Sequence, residues 1–127
     1  MNHQVVSADF DPDVFASGWY ENINDLDVLV LDANKSLPFK PNSFSMVVIV
    51  DFYSEILLQN ISEVLCKGGL LLYESYRGHG GNWIELPRKH FVKDLLKDKF
   101  TFEIYKESDV GPNKENVTLR MIARKII

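Results

Sequence analysis

Residues 26–76 read LDVLVLDANKSLPFKPNSFSMVVIVDFYSEILLQNISEVLCKGGLLLYESY, and the order of parts in this stretch decides the fold. An apolar run at 28–31 ends at Asp32, and a second at 46–50 ends at Asp51. Ser54 is a good N-cap residue, and Leu57, Leu58, Ile61, Val64 and Leu65 then recur every three to four positions, as on one helix face. Gly68-Gly69 can close that helix, since glycine accepts the left-handed backbone angle, and residues 70–73 form a third apolar run. Runs that are apolar on both faces belong to parallel strands covered by helices. The stretch predicts an open α/β sheet, of the kind that binds ligands at the carboxyl ends of its strands.

Outward from this stretch, residues 4–8 read as a strand ending at Asp9, with Pro12 placed to begin a helix. Val14, Phe15, Trp19 and Ile23 predict a short helix over 13–24, interrupted by Gly18. The loop at 33–45 contains Pro38 and Pro41 and has no helical period. The polar, glycine-containing and aromatic segment from Glu74 to Leu86 is a candidate for covering a site. Pro87 opens a helix with Phe91, Val92, Leu95 and Leu96 on one face. Residues 100–105 and 117–123 alternate as strands around Gly111-Pro112, which predicts a terminal antiparallel hairpin. No linker, repeat or low-complexity tract divides the chain, so residues 1–127 read as a single domain.

At 127 residues, 46% of them hydrophobic, the chain can build a core. A net charge of −4 leaves no electrostatic footprint for nucleic acid or for an anionic membrane. The lone Cys66 cannot form an internal disulfide, and the N-terminus lacks a charged region followed by a long apolar run, so the expected location is cytoplasmic. No apolar segment approaches the ~20 residues that span a bilayer. His3, His79 and His90 show no metal-ligand spacing, and no metal site is expected.

Asp9, Asp32 and Asp51 each follow a predicted strand. An aspartate there serves as a turn former in many proteins. Three at successive strand ends point instead to a site, because a carboxylate can accept hydrogen bonds from a ribose diol or an exocyclic amine.

Asp32-Ala33, Leu37-Pro38-Phe39, Asn42-Ser43-Phe44 and Glu63-Val64-Leu65 followed by Lys67-Gly68-Gly69 together resemble the class I S-adenosylmethionine-dependent methyltransferases. The segment LLLYESYRGHGGNW at 70–83 and the closing MIARKI look most like the tellurite-resistance type of small-molecule methyltransferase. The resemblance implies a three-layer, doubly wound, mostly parallel sheet, with S-adenosylmethionine as cofactor and a small molecule as acceptor. It places Asp9 and Phe10 at the cofactor ribose, Asp32 and Ala33 at the adenine, and Asp51 toward the methyl group. Phe52, Tyr53, Glu74, Tyr76 and Arg77 fall on the acceptor side, and no catalytic nucleophile is implied.

The departures from the family pattern carry their own expectations. Such an enzyme opens with a strand and a glycine-rich turn at the cofactor, whereas this chain starts at the family's second strand. Gly78, Gly80 and Gly81 follow the third apolar run and cannot serve as that turn. Ser45 stands where the family usually has Asp. The missing strand would lie between the one ending at Asp9 and the one ending at Asp51. Its loss leaves two edges that either close up against each other, are covered by a homodimer or partner chain, or mark an incomplete version of a longer protein. Weak or absent cofactor binding by the 127 residues follows. Two other readings share the pattern: a non-catalytic methyltransferase-like binding or scaffold module, and a phosphoacceptor receiver domain with Asp9 and Asp11 as its acid pair, Asp51 as phosphoacceptor and Ser75 as switch hydroxyl. Against the receiver, 33–45 offers no helix.

Overall fold

In the computed structural model residues 3–76, 90–110 and 116–127 are described, without the side chains of Tyr76, Asp109, Val110, Asn116 and Val117. Arg77, the polar segment up to Leu86 and the expected helix start at Pro87 lie outside the described residues. The chain divides into two compact units, Met1–Lys35 and Ser36–Ile127.

In the first unit β1 (Val5–Asp9) pairs in parallel with β2 (Leu26–Val30), in register from Val5 opposite Leu26 to Asp9 opposite Val30. The helix expected over 13–24 shrinks to one 3-10 turn, Pro12–Phe15, capped by the Asp11 side chain. The indole of Trp19 explains why. Its Nε1–H donates to the Val14 carbonyl at 2.8 Å, the acceptor that an α-helix would give to residue 18. The Gly18 N–H bonds instead to Phe15, and Gly18 takes φ 69°, which ends the turn. Phe15, Trp19 and Tyr20 collapse into a ring cluster with centroids 5.7–6.1 Å apart.

The second unit holds β3 (Phe44–Val50), α1 (Glu55–Val64), β4 (Leu65–Tyr76), α2 (Phe91–Leu96), β5 (Phe100–Val110) and β6 (Asn116–Lys125). The sheet order is β3-β4-β6-β5, parallel between β3 and β4 and antiparallel elsewhere, so the terminal hairpin forms as expected. Burial alternates along β4: Leu71, Tyr73 and Ser75 are buried, Leu70 and Leu72 half-buried, Glu74 exposed. Ile49 of β3 and Leu119, Met121 and Ala123 of β6 continue the buried row. Leu57, Leu58, Ile61 and Val64 of α1 and Val92 and Leu96 of α2 are buried with it, and α1 touches both α2 and β4. On the opposite face Met46, Val48 and Val50 stay 48–60% exposed. Among the described residues of this unit, helices cover one face of the sheet.

Gly68-Gly69 do not close α1 as expected. The helix ends at Val64, Leu65 is already extended (φ −81°, ψ 138°), and the glycines lie inside β4. Between the pairs Phe44–Leu65 and Met46–Leu70, β4 carries three extra residues, and Gly68 absorbs them at φ 80°. A Cβ on Gly69 would meet the Cys66 carbonyl at 2.8 Å and the Ser45 carbonyl at 3.2 Å, so glycine is required there by close backbone approach.

Two polar ties fix this unit. Lys125 is only 8% exposed, and its Nζ donates to the Leu65 carbonyl at 2.6 Å and to Asn42 Oδ1 at 3.4 Å, joining the last strand to the α1–β4 junction. The second tie holds α2, whose N-cap His90 sits at φ 68° and gives no side-chain cap. Glu107 of β5 caps in its place: both carboxylate oxygens accept from the His90 N–H at 3.0 and 3.1 Å, and the Tyr105 hydroxyl donates to the same group. Lys93 of α2 lies 5.4 Å from the centre of the Tyr105 ring, adding a cation–π contact.

Lys125→Met keeps the packing volume but orphans the Leu65 carbonyl, and is expected to lower unfolding stability by about 1–3 kcal/mol, read as a lower urea midpoint at unchanged slope. Glu107→Ala is expected to cost about 1–2 kcal/mol and to raise amide exchange in 91–96 ahead of the sheet. Unchanged protection there would show that Glu107 does not hold α2.

Candidate strand-end site

In the first unit the two cofactor-side acids end neighbouring strands. Asp9 is the last residue of β1, its carbonyl accepts from the Leu31 N–H at 3.0 Å, and Asp32 follows one residue later. Each spends one carboxylate oxygen on its own turn: Asp9 Oδ1 accepts from the Asp11 N–H and Asp32 Oδ1 from the Asn34 N–H, both at 2.9 Å. The turn-forming role weighed against a site role is therefore real, but it uses half of each carboxylate. Asp9 Oδ2 has no protein donor among the described residues, and Asp32 Oδ2 meets only the Lys35 Nζ at 4.0 Å, an exposed contact of little energetic weight. Phe10 is 71% exposed, and Ala33 is half-buried.

In the second unit Asp51 follows β3 directly, with its backbone at φ 53°, a left-handed conformation that aspartate tolerates better than most residues. Its N–H donates to the Glu74 carbonyl at 2.8 Å, so the turn after β3 stays tied to β4. Phe52 and Tyr53 are half-buried. The next residue, Ser54, is buried and caps α1 by accepting from the Leu57 N–H at 3.1 Å. Partial burial and the nearby Glu55 carboxylate push the Tyr53 hydroxyl above its ordinary pKa.

Glu74 sits opposite Val50, within β4 rather than at its end. Its exposed carboxylate pairs with Arg120 of β6 at 3.5 Å. Tyr76 is the last residue of β4, and Arg77 lies outside the described residues. The second unit thus brings Asp51, Phe52, Tyr53 and Glu74 to one end of the β3–β4 pair.

One residue in this place, Tyr73, escaped the sequence reading, and a second, Ser75, was named only as the switch hydroxyl of the receiver alternative. Tyr73 is 2% exposed, and its hydroxyl donates to the Phe52 carbonyl at 2.8 Å. Ser75 is fully buried, and its Oγ finds no hydrogen-bond partner among the described residues. The available signal was a pair of hydroxyls at alternate positions closing an aliphatic run. A shallow recess lined by Ser36, Leu37, Phe39, Pro41, Asn60, Glu63 and Val64 contains none of the expected site residues. Among the described residues no cluster of His, Cys, Asp or Glu is suited to a metal ion, and no helix is long and apolar enough to cross a membrane.

No protein-family model matches the chain, and no curated protein matches it. Solved structures do. Geranyl diphosphate methyltransferase in complex with S-adenosylmethionine superposes with a TM-score of 0.74 at 10% identity, over 97% of this chain and 69% of its own. The cyclase SpnF gives 0.72 at 14% identity, over 98% of this chain and 66% of its own. A S-adenosylmethionine-dependent methyltransferase from Methanosarcina mazei gives 0.67 at 15% identity, over 97% and 82%. Identities this low speak for architecture, and SpnF shows that the architecture is also used by a protein named for cyclisation. The 127 residues have the fold of the class I S-adenosylmethionine-dependent methyltransferases.

Proposed function

We propose that this chain is the adenosine-facing and acceptor-facing part of a S-adenosylmethionine-dependent methyltransferase that acts on a small molecule. The observation that carries this reading is the pair Asp9 and Asp32 at the ends of two paired parallel strands, each with one carboxylate oxygen spent on its turn and the other available. Two such acceptors suit the donors of an adenosine, with Asp9 and Phe10 toward the ribose hydroxyls and Asp32 and Ala33 toward the adenine. By the same family resemblance, Asp51 is assigned to the methyl-bearing end and Phe52, Tyr53, Glu74, Tyr76 and Arg77 to the acceptor.

The cofactor supplies an activated methyl group on a sulfonium. The protein's task is then to align the acceptor in line with that group and to exclude water, which needs neither a nucleophilic side chain nor a metal. Half-buried aromatic groups such as Phe52 and Tyr53 suit the second part of that task.

No glycine-rich turn precedes β1 in these 127 residues, so nothing here plays the role of a backbone cradle for the methionine end. On this reading the methionine end of the cofactor is held only weakly by these residues. The 127 residues alone are then expected to hold S-adenosylmethionine with a dissociation constant near millimolar, about −4 kcal/mol. A titration followed by backbone amide shifts is expected to move Phe10 and Ala33 first, and Asp32→Ala is expected to weaken binding by about tenfold, the worth of one charge-assisted hydrogen bond. Micromolar affinity would show that the grip is complete without the glycine turn. A wild-type chain with no saturable binding would sink the methyltransferase reading in favour of a binding module.

A further inference from the structure

The proposed site needs the Asp51 carboxylate to be held in one place, yet among the described residues no hydrogen bond or ion pair holds it. Asp51 sits at φ 53°, which a residue bearing a Cβ adopts only under constraint from its surroundings. Behind it, Ser54 fixes α1, and ahead of it the Asp51 N–H is tied to the Glu74 carbonyl. Between these two points the chain has one further tie among the described residues, the bond from the Tyr73 hydroxyl to the Phe52 carbonyl at 2.8 Å.

We propose that Tyr73 is a positioning residue: its buried hydroxyl clamps the Phe52 carbonyl and so keeps the turn at 51–53 in the left-handed form that presents the Asp51 carboxylate at the strand end. This rests on the methyltransferase reading for its functional consequence, though not for its geometry. The clamp is well suited to permanence. Tyr73 lies on the covered face of β4, 2% exposed, so water does not compete for its hydroxyl. Burial pushes its pKa to about 12; the Ser75 hydroxyl opposes that shift, and the nearby Tyr53 and Asp51 reinforce it. The proton that makes the bond is therefore retained across the neutral range. Tyr73 never needs to touch a ligand; it acts through the backbone of Phe52.

Ser75 provides an internal control. It lies two residues further on the same face, is equally buried and carries a hydroxyl that lies near that of Tyr73 but, among the described residues, makes no hydrogen bond to the turn. Tyr73→Phe and Ser75→Ala each remove one buried oxygen from neighbouring positions, but only the first removes a tie to the turn.

Backbone amide exchange on the 127-residue chain tests this. In Tyr73→Phe the Asp51 amide is expected to exchange about two- to tenfold faster, the range for one lost hydrogen bond, while Leu71 and Met121 in the sheet keep their wild-type rates. Ser75→Ala is expected to leave all three amides unchanged. The proposal fails if Asp51 is unaffected by Tyr73→Phe, if all three amides accelerate together, or if Ser75→Ala gives the same change. A parallel titration with S-adenosylhomocysteine reads the functional half: Tyr73→Phe is expected to weaken binding by about the factor by which Asp51 exchange rises, a loss a merely structural tyrosine would not cause at unchanged sheet protection. Unchanged affinity beside accelerated Asp51 exchange overturns the positioning role. A wild-type chain that binds nothing, with Asp51 still accelerated by Tyr73→Phe, leaves the clamp standing and removes the methyl-transfer reading instead.

Discussion

The second unit depends on β4 being saturated on both edges at once. It pairs in parallel with β3 over Met46–Leu70 to Val50–Glu74 and antiparallel with β6 over Leu70–Arg124 to Tyr76–Thr118. The same residues thus serve two ladders, and their side chains alternate between a covered face and an open one. Leu65 and Leu71 are completely buried, and burying a side chain of that size is worth roughly 1.5–3 kcal/mol. Around this row the helices find their apolar partners, and the 65–69 segment must fit three surplus residues beside β3. Glycine at 68 and 69 and the buried Lys125 ammonium are consequences of that fit, one sparing steric overlap and the other satisfying the Leu65 carbonyl.

The first unit has far less to hold it. Phe15 is its single buried hydrophobic side chain among the described residues, and a two-stranded sheet is marginal in water by itself. Asp9 and Asp32 therefore sit on an element of low intrinsic stability, kept in shape largely by Asx turns and the Phe15–Trp19–Tyr20 cluster. Asp51, by contrast, sits at the end of a strand in the well-packed sheet. Elements that close around ligands are commonly drawn from the weakly held parts of a fold.

Much of the fold was legible because hydrophobic periodicity reports burial directly. The three apolar runs became β2, β3 and β4, and the alternating C-terminal runs became β5 and β6. The failures share one cause, a backbone preference overruled by a specific contact that hydrophobic periodicity does not report. Over 13–24 the helical spacing was present, but the Trp19 indole took the Val14 carbonyl and an aromatic cluster formed instead of a helix. Gly68-Gly69 looked like a helix stop, yet Gly69 is required by the Ser45 and Cys66 carbonyls against which it packs and Gly68 by its left-handed backbone angle within the strand. Of the candidate site, the strand-end aspartates could be named from sequence because their position follows from strand order. The Tyr73–Phe52 tie could not, since it joins residues 21 apart that come together only when β3 and β4 pair.

By itself, the sequence determined where most strands and α1 fall, that the fold is α/β, and which acids stand at strand ends, because each of these follows from side-chain chemistry within a window of a few residues. Only the tertiary structure decided that the second unit's sheet is covered on one face among the described residues, that Glu74 lies within its strand beside Arg120, and that Glu107 and Lys125 act as ties. Those outcomes depend on register, and a register is chosen by the sum of contacts along two strands rather than by any residue in either one.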